Sequence, residues 1–164
     1  MNRLDRMIAR LTAQRACLAR AAGLIADRPG PVLEIGFGKG RTYSFLREVL
    51  PEREIFAFDI DGAPDTDWGP DEAHFFAGDF RDSFPGVLER TGAPAALAHC
   101  DIGSEDAGRD AALVAWMREA LPPLLAPGAI VVADRDLALA GAERLARLAD
   151  ATDWPYYTFR LAGS

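Results

Sequence analysis

An acidic residue and three glycines alternate in the stretch EIGFGKG, at Glu34, Gly36, Gly38 and Gly40. Glycine lets the backbone turn sharply and approach a ligand closely. Where a strand ends in such a turn and a helix begins, backbone N–H groups and the positive end of the helix dipole face the same point. The stretch therefore favours a nucleotide-like cofactor, and the acid beside it suits an ammonium group. Taken alone, the glycines also fit a tight turn.

The spacing of the glycines argues against two common nucleotide-binding motifs. A dinucleotide fingerprint needs glycine or alanine three positions after its second glycine, and Arg41 and Tyr43 occupy that position in the two registers. A P-loop needs Ser or Thr directly after its lysine, whereas Gly40 follows Lys39. A nicotinamide oxidoreductase is therefore a weaker hypothesis for this chain.

Acidic residues also close or follow the next two apolar runs. Asp59 ends the run EIFAFD about 20 residues after the glycines, where an acid can bind the vicinal hydroxyls of a ribose. Asp61 is a nearby competitor for this role. Asp79 follows the run AHFFA within Gly78-Asp79-Phe80. An aspartate at the end of a strand also commonly starts a turn, which is the structural alternative for both acids.

The apolar run AALAHC is followed by Asp101 and then by a polar loop. Asp101, Ser104 and Glu105 are therefore candidates for contact with a substrate. His99 is a candidate base, but the alternation of the strand places it inside the sheet, where a hydrogen-bonded core histidine is more usual. Asp101 is the better candidate for a catalytic group.

Alternating strands and helices must position these residues. Apolar runs predict six strands, and the patterns around them predict five helices, of which the first is long and amphipathic. This order is typical of an α/β fold with a doubly wound, mostly parallel sheet and helices on both faces. The predicted strands lie at residues 32–35, 54–60, 73–80, 95–101, 129–133 and 156–161, and the predicted helices at 2–27, 42–50, 81–91, 110–125 and 138–151.

Two segments have more than one interpretation. The amphipathic helix in residues 1–28 is expected to pack on the sheet, with a lid over the cofactor or a dimer contact as the alternatives. Residues 61–72 are rich in acids and turn formers and predict an irregular loop. Trp68 in that loop is expected to cover the cofactor or to pack, and the alternative is a solvated acidic connector.

The composition limits the classes of partner. The 164 residues carry a formal net charge of −7, which disfavours nucleic acid because an acidic protein repels phosphates. The sequence has no apolar stretch of membrane-spanning length and no signal-peptide core at its N-terminus. We therefore expect a single cytoplasmic domain over residues 1–164 without a membrane partner, with Cys17 and Cys100 as free thiols.

The acid-and-glycine stretch resembles the first motif of the class I S-adenosylmethionine-dependent methyltransferases, and the chain resembles a small, bacterial-type member of that family over residues 32–134. Asp59 matches the family's second motif, an acid that closes strand two. Asp79 and Phe80 match the acid and the apolar neighbour that hold adenine. The resemblance implies S-adenosyl-L-methionine as the cofactor, with the following binding residues: Glu34, Gly36, Phe37, Gly38, Gly40, Asp59, Ile60, Gly78, Asp79, Phe80 and Asp101.

The activity that the resemblance implies is methyl transfer to a small-molecule acceptor. The family has no universal catalytic residue, because a sulfonium donor is already activated and a base is needed only if the acceptor must lose a proton. Asp101 is the expected catalytic residue. A metal-assisted variant through Asp101, Asp134 and Asp136, as in the catechol-type branch, is an alternative. Aspartates at such positions more often make turns, so no metal is expected.

The chain departs from the family at its C-terminal end. The family's sheet has seven strands, so the six predicted here leave it one strand short at the C-terminus. The missing strand exposes an edge that a second copy of the chain could cover, which would give a homo-oligomer. The alternative function is a non-catalytic S-adenosylmethionine-binding module or an oligomeric scaffold.

Overall fold

The computed structural model describes residues 1–62, 67–148 and 152–163. Seven strands in this part of the chain form one sheet in the order β3-β2-β1-β4-β5-β7-β6. The first five strands run parallel, and β7 is antiparallel to both of its neighbours. The strands are β1 Val32–Ile35, β2 Ile55–Asp59, β3 Phe75–Ala77, β4 Ala95–Cys100, β5 Leu125–Ala133, β6 Glu143–Arg144 and β7 Tyr157–Arg160.

Helices cover both faces of the sheet, and polar side chains begin several of them. Asn2, Asp79 and Asp106 each accept a hydrogen bond from a backbone N–H in the first turn of the helix that follows. The segment predicted as one helix at residues 81–91 is divided by a 3₁₀ turn at Phe84–Gly86, which contains a proline that lacks an N–H to continue a helix. The helices are α1 Arg3–Leu24, α2 Arg41–Val49, α3 Phe80–Ser83, α4 Val87–Thr91 and α5 Ala107–Ala120.

The alternation of apolar side chains along each strand supplies a core on either face. On one face, Leu18 of α1 and Leu46 of α2 pack with alternate strand residues such as Val132. On the other face, Met117 of α5 packs into a cluster that contains the stacked rings of Phe58 and Phe76. Both faces of a parallel sheet must be covered in this way. The predicted doubly wound α/β fold is confirmed.

The prediction of six strands, with one missing at the C-terminus, is wrong. The additional strand, β6, lies within the segment predicted as a helix at residues 138–151, of which residues 149–151 fall outside the described residues. Ala138 and Gly141 adopt positive φ angles, which a continuing helix does not allow. Pairing of β6 with β7 supplies the backbone hydrogen bonds instead. An Ala- and Leu-rich stretch has high helix propensity, and here tertiary pairing overrides it.

The register of the central strands places three polar residues on the face that α1 covers. Glu34 of β1 lies directly opposite His99 of β4, and both side chains point to this face. Asp101 follows His99 by two residues and also contacts α1. Strand alternation thus brings the acid of the glycine motif and the end of β4 under the same helix.

Within the described residues, we find no helix that is both long enough and apolar enough to cross a lipid bilayer.

Candidate active site

A cleft lies at the carboxyl ends of β1, β2 and β4, where the chain leaves β1 towards one side of the sheet and later returns to the other. In open α/β sheets this reversal of strand order creates the usual ligand crevice. The cleft holds two adjoining cavities of about 290 Å³ each. Four residues line both cavities and therefore form their junction: Gly36, Asp59, Asp101 and Gly103.

The first cavity, called here the Asp79 cavity, combines apolar walls with a carboxylate. Ile60 lines it from the end of β2, Phe80 from the start of α3 and Leu113 from α5. Ile60 is 55% exposed, which leaves a large apolar side chain open towards the cavity. Gly78 completes the wall beside Asp79. This lining suits a flat, partly apolar ligand with a polar edge.

The second cavity, called here the Arg10 cavity, is more polar. Arg10, Leu11 and Gln14 of α1 form one wall, and the glycine loop with Lys39 and Arg41 forms another. Three cationic side chains thus surround this cavity in a chain whose net charge is −7. The lining suits a ligand that carries an anionic group.

The glycine loop brings the end of β1 close to the end of β4. Gly36 has a φ of +92°, and a Cβ at this position would overlap the backbone carbonyl of Asp101. Gly38 has a φ of +54°, and nothing lies within 4 Å of the position that its Cβ would take. Gly40, with a φ of +68°, begins α2. Glycine is therefore favoured by close backbone approach at Gly36 and by the positive φ at Gly38, where the absent side chain leaves open space beside the cavity.

Phe37 and Trp68 support the loop from below the cleft. The Phe37 ring is buried against Tyr43 and Phe75, and the Trp68 ring stacks on it with centroids 6.3 Å apart. Trp68 also covers Gly40. Trp68 thus packs against the loop, which is one of its two predicted roles. Residues 63–66 of the predicted acidic loop lie outside the described residues.

Asp59 and Asp79 stand at the ends of neighbouring strands, as predicted. Asp59 Oδ2 accepts a hydrogen bond from the Gly38 N–H at 2.6 Å, and Oδ1 accepts one from the Asp61 N–H at 3.1 Å. Asp79 Oδ1 accepts from the Arg81 N–H at 2.9 Å and begins α3. Both carboxylates make turns, as the structural alternative predicts, and both also line the cleft. Their roles in binding a cofactor stay predictions.

Two side chains of α1 hold the Asp101 carboxylate. Arg10 Nη2 lies 2.5 Å from Oδ1, and the Gln14 amide nitrogen lies 3.0 Å from Oδ2. Each carboxylate oxygen accepts from one of these groups and keeps lone pairs for a further donor. Asp101 is thus an oriented anion at the junction of the two cavities.

Glu34 is fully buried and lies beneath the cleft rather than in its wall. Its carboxylate accepts a hydrogen bond from the Thr42 hydroxyl at the start of α2. The other oxygen lies 2.8 Å from Nδ1 of His99, which is also fully buried. Burial by itself would lower the pKa of His99, but the attraction of Glu34 outweighs it and raises the pKa. The prediction that His99 is a hydrogen-bonded core histidine is confirmed.

Tyr156 connects this buried pair to the cleft. Its hydroxyl lies 2.6 Å from Nε2 of His99 and 3.0 Å from the amide nitrogen of Gln14. Burial raises the pKa of the Tyr156 hydroxyl well above its ordinary value, and the nearby Asp101 raises it further. Tyr156 therefore keeps its proton, and its hydroxyl oxygen accepts a hydrogen bond from Gln14. A continuous hydrogen-bonded chain runs from Glu34 to Asp101.

Asp134 and Asp136, considered above as metal ligands, are used by other groups. Asp134 accepts hydrogen bonds from the backbone N–H groups of Ile102 and Gly103, and Asp136 pairs with Arg144. Burial raises the pKa of Asp134, and the charge of Asp101 adds to this effect. Among the described residues, no group of three or more His, Cys, Asp and Glu side chains is arranged to hold a metal ion.

Arg10, Gln14 and Tyr156 are polar site residues outside the predicted motifs, and the sequence analysis missed them. Gln14 is only 3% exposed and lies among the small and apolar residues of α1 that face the sheet. A polar residue on the apolar face of a predicted amphipathic helix is a signal that could have identified it. Tyr156 carried no such signal, because 142 residues separate it from Gln14.

Known proteins resemble this chain over nearly its full length. A family model described as S-adenosyl-L-methionine methyltransferase matches residues 1–161. The crystal structure of an S-adenosyl-L-methionine methyl transferase from Silicibacter pomeroyi DSS-3 is 36% identical in sequence. Its alignment covers 98% of this chain and 99% of that chain, with a TM-score of 0.88. The search of curated proteins returned no match.

More distant solved structures share the fold. Calicheamicin methyltransferase CalS11 is 21% identical, and its alignment covers 90% of this chain and 78% of that chain with a TM-score of 0.60. The apo structure of CalS11, a TDP-rhamnose 3'-O-methyltransferase, is 20% identical over 97% of this chain and 80% of that chain, with a TM-score of 0.58. The full-length family match and the relative at 36% identity show that this chain belongs to the S-adenosyl-L-methionine methyltransferase family and is an enzyme that uses that cofactor.

Proposed function

We propose that the chain transfers the methyl group of S-adenosyl-L-methionine to a small-molecule acceptor, with the cofactor lying across the Asp79 cavity and the Arg10 cavity. The two adjoining spaces of about 290 Å³ suit an extended ligand with a nucleoside at one end and an amino acid at the other. The observation that carries the proposal is Asp59, a carboxylate that lines both cavities and accepts a hydrogen bond from the glycine loop.

The lining of the Asp79 cavity supports a role in holding the adenosine half. Ile60 and Phe80 offer apolar surface to a flat base, and Leu113 adds a third apolar contact. The Asp79 carboxylate would accept a hydrogen bond from the exocyclic amino group. Asp59 would accept hydrogen bonds from the ribose hydroxyls, since a carboxylate that already accepts two backbone N–H groups retains free lone pairs.

The lining of the Arg10 cavity supports a role in holding the methionine half. The space beside Gly38 is the kind of cradle that a side chain would fill, so a ligand can lie directly on the loop backbone. Arg10, Lys39 and Arg41 are the cations available to a carboxylate. Asp101 is the anion available to an ammonium group.

Two roles for Asp101 follow from the sequence, a base and a binding group, and its contacts favour the second. Both carboxylate oxygens accept a hydrogen bond from α1, which fixes the orientation of the group in the cavity wall. S-adenosyl-L-methionine, when bound, supplies a sulfonium-activated methyl group for direct displacement. The protein's own part is to align the acceptor and to exclude water from the site.

The charge of the chain supports a small acceptor. The net charge of −7 disfavours a nucleic acid, and Glu105 in the loop after β4 is exposed and available for contact with the acceptor. Cys17 and Cys100 are free and buried, which fits a reducing compartment, and we propose the cytoplasm.

Calorimetric titration with S-adenosylhomocysteine tests the proposed site. Asp59→Ala is expected to weaken binding about 5- to 150-fold, because leaving the ribose hydroxyls without their acceptor costs about 1–3 kcal/mol. Asp61→Ala is the matched control, since it removes an exposed carboxylate two residues away, and it should bind like the unmodified chain.

The thermal midpoint of each variant shows whether the fold is intact. Weakened binding in Asp61→Ala with normal binding in Asp59→Ala would exchange the two roles and contradict the proposal. An unmodified chain that binds no S-adenosylhomocysteine would reject the proposed site as a whole.

A further inference from the structure

We propose that Gln14 is a positioning residue that orients Asp101 towards the amino acid half of the cofactor, and that the buried chain of Tyr156, His99 and Glu34 orients Gln14. The inference rests on the proposed function, because it assumes that the methionine half lies in the Arg10 cavity. It assigns a role in the active site to α1, a helix that precedes the first strand of the sheet.

Two side chains of α1 hold the Asp101 carboxylate, one at each of its oxygens. Arg10 and Gln14 are four residues apart on α1 and therefore lie on the same face of the helix, one turn from each other. Arg10 reaches Oδ1 at 2.5 Å and Gln14 reaches Oδ2 at 3.0 Å. Two donors at two oxygens fix both the position of the carboxylate and the rotation of its plane.

The amide nitrogen of Gln14 sets the direction of two hydrogen bonds. Because this nitrogen only donates, the Asp101 carboxylate and the Tyr156 hydroxyl oxygen must both accept from it. The same hydroxyl oxygen lies 2.6 Å from Nε2 of His99, and Nδ1 of His99 lies 2.8 Å from Glu34, so the buried pair fixes the position of Tyr156. The reversed amide would place its carbonyl oxygen against the Asp101 carboxylate, so Gln14 has one preferred orientation.

The burial of these groups argues that the hydrogen bonds between them do more than fill the core. Glu34 and His99 are fully buried, and Gln14 and Tyr156 are nearly so. Apolar side chains of similar size would fill the same volume without the cost of desolvating polar atoms. This hydrogen-bonded series of side chains nevertheless ends at Asp101, the one member that lines both cavities. Orientation of that carboxylate is the gain that offsets the cost.

Two probes separate this role from a general structural one. S-adenosylhomocysteine carries the amino acid half, and 5'-methylthioadenosine lacks it. Gln14→Met keeps the length of the side chain and removes its donors, and it should raise the Kd for S-adenosylhomocysteine about three- to tenfold. Its Kd for 5'-methylthioadenosine should stay unchanged. Asp101→Asn should show the same pattern with a larger effect.

Two further variants complete the experiment. Tyr156→Phe removes only the hydroxyl, and it should raise the Kd for S-adenosylhomocysteine by a smaller factor than Gln14→Met, with no effect on 5'-methylthioadenosine. Arg15→Met is the matched control on an exposed position of α1, and it should change neither Kd.

The inference is overturned if Gln14→Met weakens both probes equally, which would indicate a structural role, or if it weakens neither. A protein that binds 5'-methylthioadenosine normally is folded, so its response to S-adenosylhomocysteine can be interpreted in every variant. If the unmodified chain binds neither probe, the proposed function fails first and the inference fails with it.

Discussion

At the scale of single residues, the glycine loop separates a structural requirement from a functional one. The position of a Cβ at Gly36 overlaps the carbonyl of Asp101, whereas the same position at Gly38 is empty. Both residues have positive φ, which costs any other residue about 1–2 kcal/mol. The two glycines are therefore expected to fail in different ways when they are replaced by alanine.

Gly36→Ala should lower the free energy of unfolding by more than about 2 kcal/mol, because the added carbon pushes the ends of β1 and β4 apart in addition to the strain in φ. Gly38→Ala should lower it by only about 1–2 kcal/mol and should weaken binding of S-adenosylhomocysteine, because the methyl group enters the Arg10 cavity. Urea unfolding and calorimetry measure the two effects. Equal stabilities for the two variants would contradict the clash at Gly36.

At the scale of elements, α5 is tied to the loop after β4 by one carboxylate. Asp110, in the first turn of α5, accepts hydrogen bonds from the backbone N–H and the hydroxyl of Ser104 and pairs with Arg135. Burial by itself would raise the pKa of Asp110, but the Ser104 hydrogen bonds and Arg135 outweigh it and lower the pKa. The loop that borders both cavities thus depends on the charged form of Asp110.

Asp110→Asn is expected to destabilise the protein by about 1–2 kcal/mol at neutral pH, because the hydrogen bonds to a charged acceptor are weakened. A lowered pKa in the folded state stabilises the fold above the unfolded pKa of about 3.9, and this contribution is lost as the pH falls through the folded value. The difference between the variant and the unmodified chain should therefore shrink below about pH 4. A difference that stays constant from pH 7 to pH 3 in urea unfolding would contradict this account.

At the scale of the whole molecule, the pair of Glu34 and His99 lies in the middle of the sheet between its two central strands. Neither side chain reaches solvent, so each depends on the other for compensation of its charge or dipole. Removal of one partner leaves the other buried without it, which typically costs about 3–5 kcal/mol.

His99→Leu should therefore lower the free energy of unfolding by about 3–5 kcal/mol, since Glu34 would remain buried with only the Thr42 hydroxyl as a partner. The double variant Glu34→Leu with His99→Leu should recover part of this loss, because the uncompensated carboxylate is gone. Chemical denaturation of both variants measures the coupling. A double variant that is no more stable than His99→Leu would show that the uncompensated Glu34 carboxylate is not the source of the cost.

The edges of the sheet bear on the predicted homo-oligomer. The strand that completes the C-terminal end, β6, has two residues, and the strand at the other edge, β3, has three. Short edge strands offer few free hydrogen-bonding groups to a second chain. No strand is missing from the described sheet, so the predicted cover of an exposed edge by a second copy no longer has a reason. Association of identical chains through another surface stays a prediction.

Local patterns in the sequence were sufficient for the fold class and the family. The glycine stretch, Asp59 and Asp79 depend on backbone geometry within a few residues, and the strand and helix periodicities depend on which face is buried. The predicted methyltransferase family and cofactor are confirmed by the family match. The prediction of a helix over residues 138–151 is wrong because helix propensity is weaker than the pairing of β6 with a distant strand.

The sequence by itself thus determined the glycine loop, the acids at the strand ends and the α/β order, because these features are encoded by neighbouring residues. Only the tertiary structure decided which side chains meet Asp101 and Glu34. Gln14 comes from the first helix and Tyr156 from just before the last strand, and they meet because the order of the strands and the packing of α1 bring both ends of the chain to the same face. Contacts over such separations depend on register and packing, which no local pattern records.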